Sequence, residues 1–205
     1  MIKTVCVFAA SSPGISEIYL EDGKKMARLL VEKDIEMKYG AGSVGVMGAM
    51  ADEMLEKGGK VTGIIPGFMV DMEWAHPNLS DIRIVETMHE RKALMMDGVD
   101  GIISMPGGVG TMEELLEAIT LKQLGKFLKP IILLNTNGFY DPLIEYFQRM
   151  IDEKFMRPLH GTIWQLAQTP EEVLEMMEKE PDWDPAAIKY AAVEANRGRV
   201  RTSGQ

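Results

Sequence analysis

The sequence is poor in cysteine, in basic residues and in long apolar runs, and each shortage excludes a class of protein. Its 205 residues include one cysteine, Cys6. That excludes an intramolecular disulfide and a zinc site built from several cysteines. Lysine and arginine total 22 against 31 aspartate and glutamate, a formal net charge of −9. Because a nucleic-acid polymer is bound through a basic face, this balance argues against such a partner.

No stretch approaches the roughly 18 consecutive apolar residues of a membrane helix. The first residues, MIKTVCVF, lack the basic and small-residue pattern of a signal peptide. We therefore expect a cytoplasmic protein with no membrane partner. Because 46% of the chain is apolar, it can bury one sizeable core.

Short apolar stretches alternate with helical patterns along most of the chain. The apolar stretches predict strands at residues 2–9, 35–39, 60–65, 82–86, 101–105 and 130–135. Several are continuous, as in IILL at 131–134, which is typical of parallel strands covered on both faces. Helices are predicted at 16–33, 44–57, 111–124, 141–153 and 170–179. This alternation predicts an α/β fold with a doubly wound parallel sheet flanked by helices. We expect one domain over residues 1–180 and an extension at 181–205 that is partly helical, near 186–196, or mobile.

Two loops that follow predicted strands are rich in small residues. Residues 9–14, AASSPG, offer the hydroxyls of Ser11 and Ser12 either to cap a helix or to bind a polar ligand. Residues 40–45, GAGSVG, match the spacing of a dinucleotide-binding turn. This turn follows the second strand, and no acidic residue ends the next strand to hold a ribose. It therefore indicates close backbone approach to a ligand rather than a nicotinamide cofactor.

The strongest feature is PGGVGTMEE at residues 106–114, which opens an apolar helix. Its glycines free the backbone, and a helix N-terminus presents N–H groups and a positive dipole to an anion such as phosphate. No Gly-Lys-Ser/Thr follows, so the turn does not predict nucleoside-triphosphate hydrolysis. Glu113 and Glu114 supply either favourable charge at the helix start or two carboxylates for glycosidic chemistry.

A second motif, MHERK at residues 88–92, places two adjacent cations in an acidic chain. Arg91 and Lys92 form either a solvated helix face or a site for phosphate or carboxylate. His89 could serve as a base, but we do not include it in the site.

Together, MHERK and PGGVGTMEE resemble the paired signature of the Lonely Guy family. These are cytokinin riboside 5′-monophosphate phosphoribohydrolases, formerly described as possible lysine decarboxylases. YGAGSVGVMG at residues 39–48 is similar to the family's second glycine-rich loop, and the resemblance covers about residues 1–180. Ala41 stands where a glycine is usual, and Leu121 where many relatives have tryptophan.

The resemblance implies a Rossmann-like fold, a homodimer or higher homo-oligomer, and no cofactor or metal. It implies hydrolysis of a nucleoside 5′-monophosphate, a cytokinin riboside monophosphate or AMP, to the free base and ribose 5-phosphate. It assigns catalysis to Arg91 and Glu114. The substrate-binding candidates are Gly107, Gly108, Gly110, Thr111, Glu113, Lys92, Met88, Ser12, Glu73 and Thr120.

Two alternatives remain at this point. A nucleotide-binding or carrier protein of the same fold would share the phosphate turn without needing both Arg91 and Glu114. A lysine decarboxylase would need a lysine and an acidic partner for pyridoxal phosphate, and we find no such arrangement in the sequence.

Overall fold

The computed structural model describes residues 1–72, 74–181 and 183–191. Seven parallel strands form one sheet: β1 Thr4–Phe8, β2 Glu36–Tyr39, β3 Val61–Pro66, β4 Asp81–Val85, β5 Gly101–Ser104, β6 Ile131–Leu134 and β7 Gln165–Ala167. The helices are α1 Glu17–Glu32, α2 Gly45–Glu56, α3 Gly67–Asp71, α4 Met88–Met96, α5 Val109–Gln123, α6 Asp141–Asp152, α7 Pro170–Lys179 and α8 Ile188–Ala191. The predicted α/β fold with a doubly wound parallel sheet is confirmed.

The sheet separates two apolar cores because successive side chains of a strand point to opposite faces. Val5 and Val7 of β1 face a core completed by α1, α2 and α7, whereas Cys6 and Phe8 face one completed by α4, α5 and α6. All four side chains are buried. This two-sided burial explains why the central strands read as continuous apolar runs.

The strand order is β4-β3-β2-β1-β5-β6-β7. The chain therefore builds the sheet outward from β1 to β4 and then returns to add β5 on the other side of β1. The loops after β1 and β5 diverge at this switch point and leave a crevice beyond the carboxyl ends of the strands.

Four elements depart from the sequence-based prediction. Helix α5 begins at Val109, two residues earlier than expected, so that Gly108 is its N-cap. Strand β7 and the five-residue α3 were not predicted. Helix α4 was not among the predicted helices, although a helix face was one interpretation of Arg91 and Lys92. Of the predicted extension, α8 ends the described part of the chain, and residues 192–205 lie outside it.

Candidate functional site

A cavity of about 720 Å³ occupies the crevice at the switch point. Its walls come from the segments that follow β1, β2, β3 and β5, together with one face of α4 and the first turns of α5. Both small-residue loops predicted from the sequence line it, and Ser12, Met88, Gly108, Gly110, Thr111, Arg91 and Glu114 are all in its wall. Most of the candidate site residues are thus brought together.

Arg91 is held at the cavity by a helix whose start is fixed by its own sequence. A capping box begins α4: the Thr87 hydroxyl accepts from the backbone N–H of Glu90, and the Glu90 carboxylate accepts from that of Thr87. Arg91 lies in the next turn and is 6% exposed. This burial excludes the interpretation that Arg91 belongs to a solvated helix face.

Three groups around Arg91 fix its guanidinium. Nε donates to the carbonyl of Ile64 at 3.1 Å, and Nη2 donates to the carbonyl of Gly40 at 2.9 Å. Nη1 lies 3.5 Å from Oε1 of Glu114. The planar fork therefore joins the ends of β2 and β3 to a carboxylate on α5.

Gly40 allows this arrangement because it has no side chain. A Cβ built on Gly40 would lie 1.9 Å from Nη2 of Arg91. No larger residue fits here unless the guanidinium moves. The glycine of the second loop is therefore needed for the position of Arg91.

Glu114 is a buried carboxyl group, 4% exposed. Desolvation raises its pKa to about 7, although the charge of Arg91 opposes the shift, and Glu113 adds a smaller rise. At neutral pH the group is therefore present in both protonation states. A carboxyl group of this kind can exchange protons with a bound ligand or water.

The glycine turn before Glu114 leaves the start of α5 open to the cavity. Gly108, the N-cap, carries no side chain that could cap the helix, and the backbone N–H groups of the first turn have no partner within it. A Cβ on Gly107 would lie 2.1 Å from Oγ1 of Thr111, so Gly107 lets the buried Thr111 close the turn. The turn offers N–H donors and a positive dipole to an anion.

The loops after β1 and β2 support each other through their backbones. The N–H of Met47 donates to the carbonyl of Ala10 at 3.0 Å. A Cβ on Gly45, whose φ is +67°, would lie 2.6 Å from that same oxygen. Ala41 also has a positive φ of +59°. The turn at residues 40–45 therefore packs closely against the backbone of the loop after β1.

Four of the described candidate residues lie outside the cavity wall: Lys92, Glu113, Thr120 and Gly107. The ammonium of Lys92 is buried against the carboxylates of Glu113 and Glu117, with which it forms ion pairs. The hydroxyl of Thr120 donates to the carbonyl of Leu116 at 2.8 Å. Contacts within and between α4 and α5 therefore occupy the side chains of Lys92, Glu113 and Thr120 in this chain. Gly107 adjoins the cavity wall through Thr111, and Glu73 lies outside the described residues.

Trp74 and Met69 line the cavity beyond the end of β3 and were not predicted as site residues. Both belong to the stretch between β3 and β4, where the residues follow neither a helical nor a strand pattern. A tryptophan in such a stretch is the signal that could have pointed to them, since a large aromatic residue outside any regular element often serves a binding surface.

The part of the chain described in the structure shows no group of three or more His, Cys, Asp or Glu side chains placed to hold a metal ion. Within that same part, no helix has both the length and the apolar character needed to cross a membrane.

Comparison with known proteins places these motifs in a family. The family described as "Possible lysine decarboxylase" matches residues 47–177. A probable cytokinin riboside 5′-monophosphate phosphoribohydrolase of Oryza sativa is 40% identical over 177 residues, 86% of this chain and 72% of the relative. The chain belongs to the Lonely Guy family. A second member, the cytokinin riboside 5′-monophosphate phosphoribohydrolase LOG7 of Arabidopsis thaliana, is 37% identical over 95% of this chain and 90% of its own length.

Solved structures share the Lonely Guy fold found here. The X-ray structure of TM1055 is 28% identical, with a TM-score of 0.68 over 87% of this chain and all of that one. The molybdenum cofactor carrier protein of Chlamydomonas reinhardtii has a TM-score of 0.63 over 88% of this chain and all of its own, at 15% identity. At that identity the likeness to the carrier is one of fold alone.

Proposed function

We propose that this protein hydrolyses the N-glycosidic bond of a nucleoside 5′-monophosphate, releasing the free base and ribose 5-phosphate. The observation that carries the proposal is the buried pair of Arg91 and Glu114 beside the open N-terminus of α5. The family membership supports it, since relatives named phosphoribohydrolases align over most of the chain. AMP and a cytokinin riboside monophosphate are the proposed substrates.

The phosphate binds at the glycine turn. The N–H groups of Val109, Gly110 and Thr111 donate to its oxygens, and the α5 dipole favours its charge. Because the net charge of the chain is −9, the overall electrostatic field of the protein does not attract the phosphate. The local N–H donors and Arg91 attract it instead. Anchoring a phosphate that does not react uses its binding energy to position the glycosidic bond.

The carboxylate of Glu114 then acts at C1′ of the ribose. As the bond from C1′ to the base nitrogen breaks, C1′ gains oxocarbenium character, which the carboxylate stabilises. Glu114 accepts a proton from the attacking water, whose oxygen bonds to C1′. The departing base takes up one proton, which Glu114 returns directly or through solvent, so one water is consumed for each base and ribose 5-phosphate formed. Arg91 orients Glu114 and contacts the substrate.

We also propose a homodimer or a higher homo-oligomer. Helix α5 leaves Val109 86% exposed and Leu116 42% exposed. Seven residues apart, they share one helix face next to the site. Exposed apolar side chains at such a position are typical of an interface between subunits. Light scattering coupled to size exclusion measures the mass in solution, and a monomeric mass at working concentration contradicts the proposal.

A substrate panel tests the proposed reaction. The protein is incubated with AMP, isopentenyladenosine 5′-monophosphate and, as a control without phosphate, adenosine, and the released base is measured by chromatography. We expect base and ribose 5-phosphate in equal amounts from the monophosphates and much slower release from adenosine. Nucleotide binding without release of base from any monophosphate contradicts hydrolysis and favours the carrier alternative.

A further inference from the structure

Trp74 differs from the other two tryptophans of the chain in its surroundings. Trp164 packs against Phe147, with ring centroids 4.4 Å apart, and Trp183 lies under the ammonium of Lys122. Both are partly buried against the second apolar core. Trp74 is 53% exposed and forms part of the cavity wall. A large ring left open to solvent loses the stabilisation of burial, which a bound ligand could restore.

Backbone contacts hold the segment that carries Trp74. Its N–H donates to the carbonyl of Met69 at 3.2 Å. The next residue, Ala75, forms an antiparallel bridge with Gly42, and the N–H of His76 donates to the carbonyl of Ala41 at 2.8 Å. The ring is therefore attached to the same loop whose Gly40 carbonyl positions Arg91.

The sheet gives the scale of the separation between Trp74 and the phosphate turn. Trp74 follows β3 and the turn follows β5, with β2 and β1 between them. Three strand spacings amount to about 14 Å, comparable to an extended nucleoside monophosphate. Arg91 contacts the ends of β2 and β3 and meets Glu114 of α5. The reacting bond would thus lie between a phosphate at α5 and a base near Trp74.

The cavity that Trp74 lines also has apolar and adaptable side chains in its wall. Met47, Met69 and Met88 also line the cavity, and methionine adjusts its shape to ligands of different outline. A flat ring beside flexible thioethers suits a heteroaromatic base, with or without an apolar substituent on its exocyclic nitrogen.

We infer that Trp74 is the residue on which the base of the nucleotide stacks. The inference rests on the proposed function, because it takes a nucleoside 5′-monophosphate as the ligand. Stacking on an aromatic residue uses the π-face that every base possesses. Trp74 contributes to affinity for the base and makes no contribution to binding of the phosphate.

Binding measurements on Glu114→Gln protein, in which turnover is blocked, test this role. AMP and ribose 5-phosphate are titrated by calorimetry into this protein and into the same protein carrying Trp74→Ala or Trp74→Phe. We expect Trp74→Ala to weaken AMP binding by about 5- to 150-fold, with Trp74→Phe in between and ribose 5-phosphate unaffected. AMP should also quench tryptophan emission in the protein with Trp74 but not in the Phe variant.

Phe68→Ala provides the matched control, because Phe68 is a similarly exposed aromatic residue on the adjacent α3 and is not part of the described cavity wall. It should leave AMP affinity unchanged. Unchanged AMP affinity in Trp74→Ala, equal losses for AMP and ribose 5-phosphate, or no binding of AMP at all overturns the inference. If AMP binding depends on Trp74 but wild-type protein cleaves no nucleotide, the proposed function fails while the stacking role stands.

Discussion

Replacing Glu114 by glutamine removes a buried ionisable group and keeps nearly the same side-chain shape. In the folded protein the pKa of Glu114 is raised from 4.5 to about 7, chiefly by burial. Between those two values the folded state holds a proton that the unfolded state has lost, so the free energy of unfolding falls as pH rises. This loss in the free energy of unfolding is absent below pH 4.5 and complete above pH 7.

The shift corresponds to roughly 3 kcal/mol of lost stability. Urea unfolding of wild type and Glu114→Gln at a series of pH values from 4.5 to 8 measures it. All other ionisable groups are shared, so the difference between the two free energies isolates Glu114. We expect wild type to lose about 3 kcal/mol relative to the variant across this range.

A difference that stays constant with pH contradicts this reasoning, because it means that folding does not perturb the carboxyl group. A difference that grows in favour of wild type as pH rises contradicts it more strongly. That result would mean that Arg91, 3.5 Å away, outweighs burial and holds Glu114 ionised. The chemistry proposed for a group that exchanges protons near pH 7 would then lose its basis.

Three further predictions concern the site. Gly40→Ala displaces the Arg91 guanidinium, since the new Cβ would lie 1.9 Å from Nη2, and should lower kcat by about 100-fold. Gly107→Ala pushes against Thr111, with Cβ 2.1 Å from its Oγ1. It should weaken ribose 5-phosphate binding by about tenfold or more, since one hydrogen bond to a charged group contributes roughly 1.5–3 kcal/mol. Finally, kcat/KM should rise with pH through about 7, because only ionised Glu114 accepts the proton of water.

Gly67→Ala is the matched control for both glycine variants. A Cβ there meets its nearest neighbour, Ile84, at an ordinary 3.8 Å, so activity and affinity should stay at wild-type levels. Wild-type kcat in Gly40→Ala, wild-type affinity in Gly107→Ala, or a rate that falls as pH rises through 7 contradicts the corresponding prediction. Circular dichroism checks that each variant is folded.

The order of strands and helices could be predicted because burial on both faces leaves a continuous apolar signal. That signal is present in β1, β3, β5 and β6. The alternating β2 and the mostly exposed β4 were found as well, whereas β7 has three residues, Gln165–Ala167, too few to show a period. The glycine turn at residues 107–111 was predicted for a local reason, since helix starts and glycines act on their immediate neighbours.

What could not be predicted depends on partners distant in sequence. Two adjacent cations on a short helix are most often solvated, and Arg91 is buried only because carbonyls from β2 and β3 accept its protons. Lys92, its neighbour, pairs with α5 instead of facing the cavity. Trp74 reaches the cavity through a bridge between Ala75 and Gly42, which no local pattern indicates.

The most direct test of the central claim is the rate of base release from AMP by wild type and Glu114→Gln at pH 7. Glu145→Gln, which alters an exposed carboxylate on α6, serves as the control. We predict that Glu145→Gln retains the wild-type rate and that Glu114→Gln loses at least about 100-fold, the usual contribution of a positioned acid–base group. Undiminished release of base by Glu114→Gln contradicts the account.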